Sequence, residues 1–419
     1  MEPLPTPEKQ TVLLLHAAKQ PYQLTDNYPV PQLEGEHDML VRTQAIGLNP
    51  IDWKAPDFNF AIPELPYISG RECAGEVVQT SRKDSRIKPR DRVLVISTDY
   101  RDLRKAAYQE YIISFDYYTV RIPPSLSPEE GSTLGVAFVA AALSLGVCMG
   151  VDFSSVLSGP DLFSLLRSSV PHDSLAEDIQ IRSECLDGIR SHERAKAGDW
   201  VAVWGGSSIS ANLTIQLAKL AGLKVVTIVD KAKHGLRLPL SNSNHEVLNM
   251  KADLLVDSHD PERAVQIIRQ NLKGTSKLRF GVDTRGRESA TWLLHALSPD
   301  NVDSIALPAG DMEAPPSPPG TPKEETLLGA HLIGLTGLPK QQAPEGTMFH
   351  TVPIKLFHQV PEVGGALCRW LERLLAEGLV KAPEIIDVEQ GLGSINNKGL
   401  DRMRRGEISG GKLVVRVAG

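Results

Sequence analysis

Short segments in which hydrophobic and polar residues alternate dominate the first part of the chain. The segment 11–15 is predicted to form a first strand, and the segment 38–45 alternates well enough to form another with one buried face. Residues 67–78 form a strand pattern that contains several glycines, and residues 88–96 form a turn followed by a strand. Because glycine and proline separate these short strands, the pattern predicts a small, mostly antiparallel barrel before residue 130.

Farther along the chain, apolar strands alternate with helices. Residues 200–204 are almost continuously apolar, which is typical of a parallel strand covered on both faces. An apolar helix follows and ends at Gly222, and residues 223–229 form a second buried strand. Further strands are predicted at 254–257, 279–283, 302–307 and 331–335. Parallel strands separated by helices predict a doubly wound dinucleotide fold.

The turn after the strand at 200–204 has the features of a phosphate-binding loop. Gly205, Ser208 and Ala211 occupy the spacing at which a dinucleotide fingerprint carries three glycines. Serine and alanine are still small, and a helix N-terminus offers N–H groups and a positive dipole end to a pyrophosphate. The predicted cofactor contacts are Gly205, Gly206, Ser207, Ser208, Ile209 and Ser210. A doubly wound domain with such a turn but without a nucleotide is the alternative.

Charge, apolar content and cysteines narrow the class of protein. A net charge of −6 and a pI near 6.0 leave no basic footprint, so nucleic acid and anionic membranes are poor partners. No signal-peptide pattern opens the chain and no apolar run approaches the length of a membrane helix, which predicts a cytoplasmic protein. The four cysteines are far apart and lack C-x-x-C spacing, so we interpret them as core thiols.

The order of several motifs resembles the medium-chain dehydrogenase/reductase superfamily. These motifs are GLNPID from Gly47, SGRECAGEVV from Ser69, KPRDRVLV from Lys88, the helix at 134–145, the dinucleotide unit at 199–230 and GLDRMRRGEISGGKLVVRV at 399–417. The likeness covers nearly the whole chain. It is greatest to the zinc-free, quinone-reductase-like branch found in fungi, which includes stand-alone enoyl reductases that serve polyketide synthases. The resemblance implies an α/β protein with a GroES-like, partly open β-barrel catalytic domain and a Rossmann doubly wound parallel-sheet cofactor domain.

The resemblance also implies a domain division. Residues 1–145 and 352–419 are expected to form the GroES-like catalytic domain, and residues 146–351 the Rossmann domain. The segment 150–196 is longer than the superfamily usually places before its cofactor strand, with short helices predicted at 162–167 and 184–192. Such a segment is a binding loop, lid or interface, or a surface excursion without a role. The proline-rich segment 308–322 is predicted to be a surface loop.

A catalytic zinc is not expected. Such a zinc takes three protein ligands and keeps one open position. Where zinc-dependent relatives carry ligands, this chain has Asn49, the sequence Gly70-Arg71-Glu72 and a helix start near Val136, so only Glu72 is a suitable ligand. The four-cysteine lobe of those relatives is also missing after Ile96. We therefore expect metal-free chemistry, with Glu72 and Arg71 forming a buried ion pair.

Residues near position 50 are the candidates for catalysis. Lys54 resembles the lysine that zinc-free fungal enoyl reductases keep near cofactor and substrate. Its alternative role is that of an ordinary solvated lysine. Asn49 and Asp52 flank the position vacated by zinc ligation, where they would bind the substrate carbonyl or a ribose; alternatively they cap the following helix. Pro50 and Lys54 are also expected to contact the cofactor.

The end of the second strand of the dinucleotide unit bears on the choice of cofactor. Asp230 favours NAD, because an acidic residue at this place accepts hydrogen bonds from ribose hydroxyls. The basic residues Lys231, Lys233 and Arg237 follow, and they suit a 2′-phosphate if Asp230 turns aside to pair with Lys233. Together with the resemblance, this cluster predicts NADP(H). Two residues at the ends of later strands, Asp283 and Leu335, complete the predicted cofactor site.

These observations predict an NADPH-dependent, metal-free oxidoreductase that reduces an activated C=C bond, in an enoyl thioester or enone, in fungal secondary-metabolite biosynthesis. The expected substrate is a small or carrier-bound polyketide-like molecule, and a polyketide synthase is a candidate partner. The expected state is a monomer or homodimer. Two alternatives stay open: a zinc-independent quinone or carbonyl reductase, and a nucleotide-binding protein without turnover.

Overall fold

The computed structural model describes residues 5–168, 179–235, 252–272, 278–297 and 328–417. The strands of this part are β1 (Lys9–Leu15), β2 (Gln23–Pro29), β3 (Asp38–Gly47), β4 (Tyr67–Ile68), β5 (Glu72–Thr80), β6 (Arg92–Ile96), β7 (Tyr111–Phe115), β8 (Thr119–Arg121), β9 (Trp200–Trp204), β10 (Lys224–Val229), β11 (Leu254–Asp257), β12 (Phe280–Asp283), β13 (Ala330–Gly334), β14 (Thr347–Thr351), β15 (Ile385–Gln390) and β16 (Lys412–Arg416). The α-helices are α1 (Pro50–Phe58), α2 (Pro128–Gly131), α3 (Gly135–Leu143), α4 (Leu162–Ser168), α5 (Ile179–Asp187), α6 (Ile209–Leu220), α7 (Lys231–His234), α8 (Pro261–Leu272), α9 (Arg287–Ala296), α10 (Leu356–Gln359), α11 (Pro361–Ala376) and α12 (Asp401–Arg404).

The predicted barrel is built from two sheets. One has the strand order β2-β1-β4, and the other has the order β15-β16-β3-β5-β6-β8, with β7 paired to β3. The glycine-rich segment predicted as one strand is divided into β4 and β5. Gly70 interrupts it with φ of +95°, where an added Cβ would lie 2.5 Å from a ring carbon of Tyr108. Strand β16 pairs antiparallel with β3, so β15 and β16 extend this sheet beside β3.

The second part of the fold is a six-stranded parallel sheet with the order β11-β10-β9-β12-β13-β14. The predicted strands at 200–204, 223–229, 254–257, 279–283 and 331–335 are confirmed within one residue at each end. The predicted strand at 302–307 lies outside the described residues, as does the loop at 308–322. The sequence pattern missed β14, because it is an edge strand whose burial does not alternate. The predicted domain boundaries at 145/146 and 351/352 remain predictions.

One apolar core connects the barrel with the parallel sheet. It includes Leu94 and Val120 of the barrel, Val203 of the parallel sheet and Trp370 of α11. The helical stretch Pro128–Cys148 passes through this core. By length and composition it is apolar enough to cross a membrane, but 94% of its most apolar window is buried inside the protein, as expected for a core helix. The four cysteines are buried and free, as predicted.

The long segment before β9 packs against the core. Helix α4 confirms the predicted helix at 162–167 to within one residue. Helix α5 overlaps the predicted helix at 184–192 but begins and ends five residues earlier, and residues 169–178 lie outside the described part. The side chain of Trp370 donates a hydrogen bond to the Val156 carbonyl at 3.0 Å. Glu184 of α5 bonds His350 of β14 at 2.6 Å, and His350 bonds His331 of β13 at 2.9 Å. These contacts tie the segment to the edge of the parallel sheet.

Buried histidines predict a stability that falls in mild acid. Burial, with His350 and Arg279 nearby, lowers the pKa of His331 from 6.5 to about 3. Burial likewise lowers the pKa of His358 to about 4. Below pH 6.5 the unfolded chain therefore binds protons that the native state does not, so the free energy of unfolding should fall as the pH drops toward 4. Each such group contributes a slope of roughly 1.4 kcal/mol per pH unit.

Urea unfolding at pH 7.0, 5.5 and 4.5 measures this slope. We expect His331→Gln to have a weaker pH dependence than the wild type, because glutamine does not titrate. His259→Gln is the control, since the His259 side chain is 61% exposed. Equal slopes for His331→Gln and wild type would contradict the assignment.

Candidate functional site

A cleft of about 1060 Å³ separates the barrel from the carboxyl ends of the parallel strands. The barrel side contributes α1 and residues after β6, and the sheet side contributes the turns after β9, β10, β12 and β13. Ligands bind at the carboxyl ends of strands in open α/β sheets. If the predicted cofactor and substrate residues bind a ligand directly, they should line this cleft.

The turn after β9 carries the predicted phosphate contacts. Gly205 has φ of +82°, and its N–H and that of Gly206 both donate to the Ile228 carbonyl at 3.0 Å. Ser208 is the N-cap of α6, and its hydroxyl accepts from the Ala211 N–H at 3.1 Å. The residues of this turn that line the cleft are Gly205, Ser207, Ser208, Ile209 and Ser210. Since the first N–H groups of a helix lack intrahelical partners, this end of α6 suits a phosphate.

Gly206 departs from its predicted role. It is buried beneath the turn and is not part of the cleft lining. A Cβ added to Gly206 would lie 2.2 Å from Cγ2 of Thr227 on the adjacent strand. Gly206 therefore allows the turn to pack on β10, and its contact with the cofactor stays a prediction.

The residues after β10 divide into those inside and those outside the cleft. Asp230 and Lys233 line the cleft, whereas Lys231 is exposed and lies outside the lining. Asp230 caps α7, because its carboxylate accepts the backbone N–H of Lys233 at 2.9 Å. The expected pairing of Asp230 with Lys233 is therefore a backbone bond and not a bond to the ammonium group. Arg237 lies outside the described residues.

The two predicted residues on later strands also differ in placement. Leu335 lines the cleft, as do Thr284 and Arg285 of the turn after β12. Asp283 is fully buried and outside the lining, where its carboxylate accepts the N–H groups of Arg285 at 3.0 Å and Gly286 at 2.7 Å. Burial raises the pKa of Asp283. Asp283 thus shapes the turn that carries Thr284, and the structure does not support a direct cofactor contact.

On the barrel side, the N-terminus of α1 reaches the cleft. Asn49 is its N-cap, and both Asn49 and Pro50 line the cleft. The Asp52 carboxylate accepts the Asn49 backbone N–H at 2.8 Å, which is the capping alternative for Asp52. Asp52 is completely buried and outside the lining, and burial raises its pKa to about 6 against the opposing effect of the Asn49 N–H. The structure therefore gives Asp52 a structural position and not one beside a substrate.

Glu72 has a different partner from the predicted one. It is fully buried, and one carboxylate oxygen accepts from the ammonium group of Lys412 and, at 2.9 Å, from the Asn49 side-chain amide. The other oxygen accepts the Val136 N–H at 2.9 Å. The predicted Glu72–Arg71 ion pair is wrong, because Arg71 lies over the Tyr100 ring, 5.2 Å from its centroid. Glu72 is the one suitable ligand that this chain keeps at the zinc-ligand positions, and its carboxylate is paired with the ammonium group of Lys412.

Lys54 lies at the cleft in a partly exposed position. Its ammonium is 5.7 Å from the centroid of the Trp53 ring, and the residue forms part of the cleft lining. The structure thus brings Lys54 together with Asn49 and Pro50, across the cleft from the turn after β9. This placement is compatible with its predicted role.

The charges along the cleft are strongly unbalanced. Among the described residues, the only carboxylate in the lining is that of Asp230. The cationic side chains of the lining are Lys54, Arg71, Lys233, Arg285, Lys355 and Lys412. Sequence reasoning singled out Lys54 and Lys233 among these but missed Lys412. A concave site with this balance favours an anionic ligand, such as a nucleotide phosphate.

Comparison with known proteins agrees with this architecture. The family model "Alcohol dehydrogenase GroES-like domain" matches residues 35–124. A trans-enoyl reductase of Aspergillus niger is 27% identical over 416 residues, which cover 98% of each chain. A quinone oxidoreductase of Lama guanicoe is 26% identical over 230 residues, 55% of this chain and 54% of that protein. The solved structure of an alcohol dehydrogenase superfamily protein from Novosphingobium aromaticivorans has a TM-score of 0.66 at 16% identity, covering 98% of this chain and 100% of its own.

A GroES-like barrel joined to a parallel dinucleotide-type sheet, with a cation-lined cleft between them, defines the class of this protein as an oxidoreductase. Its sequence is similar to trans-enoyl reductases and quinone oxidoreductases, as expected for a chain that resembles the zinc-free branch of the medium-chain dehydrogenase/reductase superfamily. The family resemblance and the fold class inferred from the sequence are thereby confirmed.

Proposed function

We propose that this protein is an NADPH-dependent enoyl reductase that reduces the C=C bond of an α,β-unsaturated thioester in secondary-metabolite biosynthesis of the fungal type. The observation that carries the proposal is the similarity to trans-enoyl reductases along 98% of the chain. The cleft supports it, because a helix end suited to a phosphate and an excess of cations line the same space. A substrate delivered on a carrier, with a polyketide synthase as partner, is part of the proposal.

The residues of the cleft fit a nicotinamide dinucleotide. The N-terminus of α6 suits the pyrophosphate, Asp230 and Lys233 stand at the end of β10 where the adenosine ribose is expected, and Leu335 lies at the end of β13. The cofactor supplies a hydride to the substrate. The chain must then orient the unsaturated carbon chain, bind the carbonyl oxygen and keep water away from the β carbon, which accepts the hydride.

Oxidation of NADPH in the presence of defined acceptors tests the proposal. Purified protein is mixed with NADPH and an α,β-unsaturated acyl thioester, and the loss of nicotinamide absorbance is followed. The saturated thioester is the control, and a quinone is offered separately. We expect rapid oxidation with the unsaturated thioester alone. Oxidation with the quinone only would favour a quinone reductase, and no oxidation with either would favour a binding protein.

The cofactor preference is a separate prediction. We expect NADPH to bind more tightly than NADH, because Lys233 lies in the cleft beside Asp230 and is available for a 2′-phosphate. Lys233→Ala should weaken NADPH binding by roughly tenfold, since a hydrogen bond to a charged group contributes about 1.5–3 kcal/mol. It should change NADH binding little. Isothermal titration calorimetry of both nucleotides measures these affinities.

Lys231→Ala is the matched control for Lys233→Ala, because Lys231 is a neighbouring lysine outside the cleft lining. It should leave both affinities unchanged. Tighter binding of NADH by the wild type would overturn the assignment and would give Asp230 the role of a ribose acceptor.

A further inference from the structure

An ammonium group is buried at the wall of the cleft on the barrel side. Lys412, the first residue of β16, is 3% exposed, yet it belongs to the cleft lining together with Asn49. Its Nζ donates to Oδ1 of Asn49 at 2.8 Å and to Oε1 of Glu72. A buried ammonium group is costly unless it is paired, and here Glu72 balances its charge. The position of Lys412 is therefore fixed by two neighbours.

The hydrogen bonds of Lys412, Glu72 and Asn49 use most of the donors and acceptors of these three side chains. The second oxygen of Glu72 accepts the Val136 N–H, and the Asn49 amide donates to Glu72 and, at 3.2 Å, to the Gly47 carbonyl. An ammonium group has three N–H donors, and the two bonds to Asn49 and Glu72 use two of them. Among the described residues no acceptor is assigned to the third N–H of Lys412, and Lys412 belongs to the cleft lining, which leaves this donor for an acceptor in the cleft.

The surroundings suit the oxygen of a carbonyl group. Val136 and Ala137 of α3 contribute apolar lining next to the cluster, so a ligand atom there is partly removed from water. In such a site a fixed positive donor stabilises developing negative charge more strongly than in water. Lys412 does not have to move to bind such an oxygen, because its hydrogen bonds to Glu72 and Asn49 already fix its position.

We propose that Lys412 is a catalytic residue that donates a hydrogen bond to the carbonyl oxygen of the substrate, with Glu72 and Asn49 as positioning residues. This inference rests on the proposed enoyl reduction. When hydride adds to the β carbon, the C=C electron pair forms the α-carbon–carbonyl-carbon double bond, and the carbonyl pair moves to oxygen. Lys412 stabilises that enolate oxygen. A proton from water then adds to the α carbon, and the carbonyl bond forms again.

A neutral double variant tests the proposal. Glu72→Gln combined with Lys412→Met removes both charges together, so no unpaired ion is left in the core. We expect kcat for the unsaturated thioester to fall roughly a hundredfold, as for the loss of one oxyanion donor. The affinity for the saturated thioester, measured by calorimetry without turnover, should fall by roughly tenfold, while NADPH affinity stays unchanged. Lys9→Met, an exposed lysine on β1, is the control.

If the first double variant does not fold, the double variant Glu72→Gln/Lys412→Gln replaces it in the same measurements. It also removes both charges but keeps two hydrogen-bonding side chains. A folded neutral variant with wild-type kcat and wild-type affinity for the saturated thioester would overturn the role of Lys412 and leave it as a structural ion pair. This result differs from failure of the proposed function, in which the wild type itself would not reduce the unsaturated thioester.

Discussion

Gly206→Ala is expected to destabilise the protein by about 1–3 kcal/mol and to weaken nucleotide binding. The added Cβ would lie 2.2 Å from Cγ2 of Thr227, a fully buried side chain of β10. Because Thr227 is β-branched and fully buried, we expect the turn after β9 to shift, together with the N-terminus of α6. Thermal unfolding and NADPH calorimetry measure the two effects.

Gly235→Ala is the control for Gly206→Ala. A Cβ at Gly235 would meet its nearest neighbour, Cβ of Lys231, at 3.6 Å, which is ordinary contact. This variant should match the wild type in thermal midpoint and in nucleotide affinity. If Gly206→Ala were as stable as Gly235→Ala and bound NADPH equally well, the close packing of the turn against β10 would be refuted.

Lys54→Ala is expected to reduce the rate of enoyl reduction by roughly tenfold or more, equivalent to about 1.4 kcal/mol of transition-state stabilisation. Lys54 lines the cleft next to Asn49 and Pro50, so its charge faces the space assigned to cofactor and substrate. Its partial exposure means that little folding energy depends on it. The thermal midpoint should therefore stay within a few degrees of the wild type.

Steady-state kinetics at saturating NADPH and thioester, together with thermal unfolding, separate the two effects of Lys54→Ala. Lys9→Ala is a suitable control on an exposed surface. Unchanged kcat and unchanged apparent affinity for both ligands would show that Lys54 is an ordinary solvated lysine.

Local pattern was sufficient for most of the fold. Alternation predicted β3, and continuous apolar runs predicted β9 and β10. Such elements form where the local period of hydrophobic residues matches the period of a strand or helix. The edge strand β14 has no such period and was missed. The start of α5 was placed five residues late, at 184 and not at Ile179.

The candidate site was only partly predictable. Local spacing located the turn after β9 and the α1 start at Asn49, since a helix cap and a glycine turn depend on neighbours in sequence. Local spacing also suggested cofactor contacts for Gly206, Lys231 and Asp283. The structure places all three outside the cleft lining, because Gly206 faces β10, Lys231 points to solvent and Asp283 caps its own turn.

The sequence alone predicted the barrel strands, the parallel sheet and the glycine turn after β9, because each depends on residue types at short, regular spacing. The family resemblance added which residues stand at the positions of the zinc ligands. Only the tertiary structure decided what replaced the zinc-ligand set. Lys412 lies 363 residues from Asn49 and 340 from Glu72, and it reaches them because β16 pairs with β3. No local pattern reports such a pairing, since it arises from strand register across the whole chain.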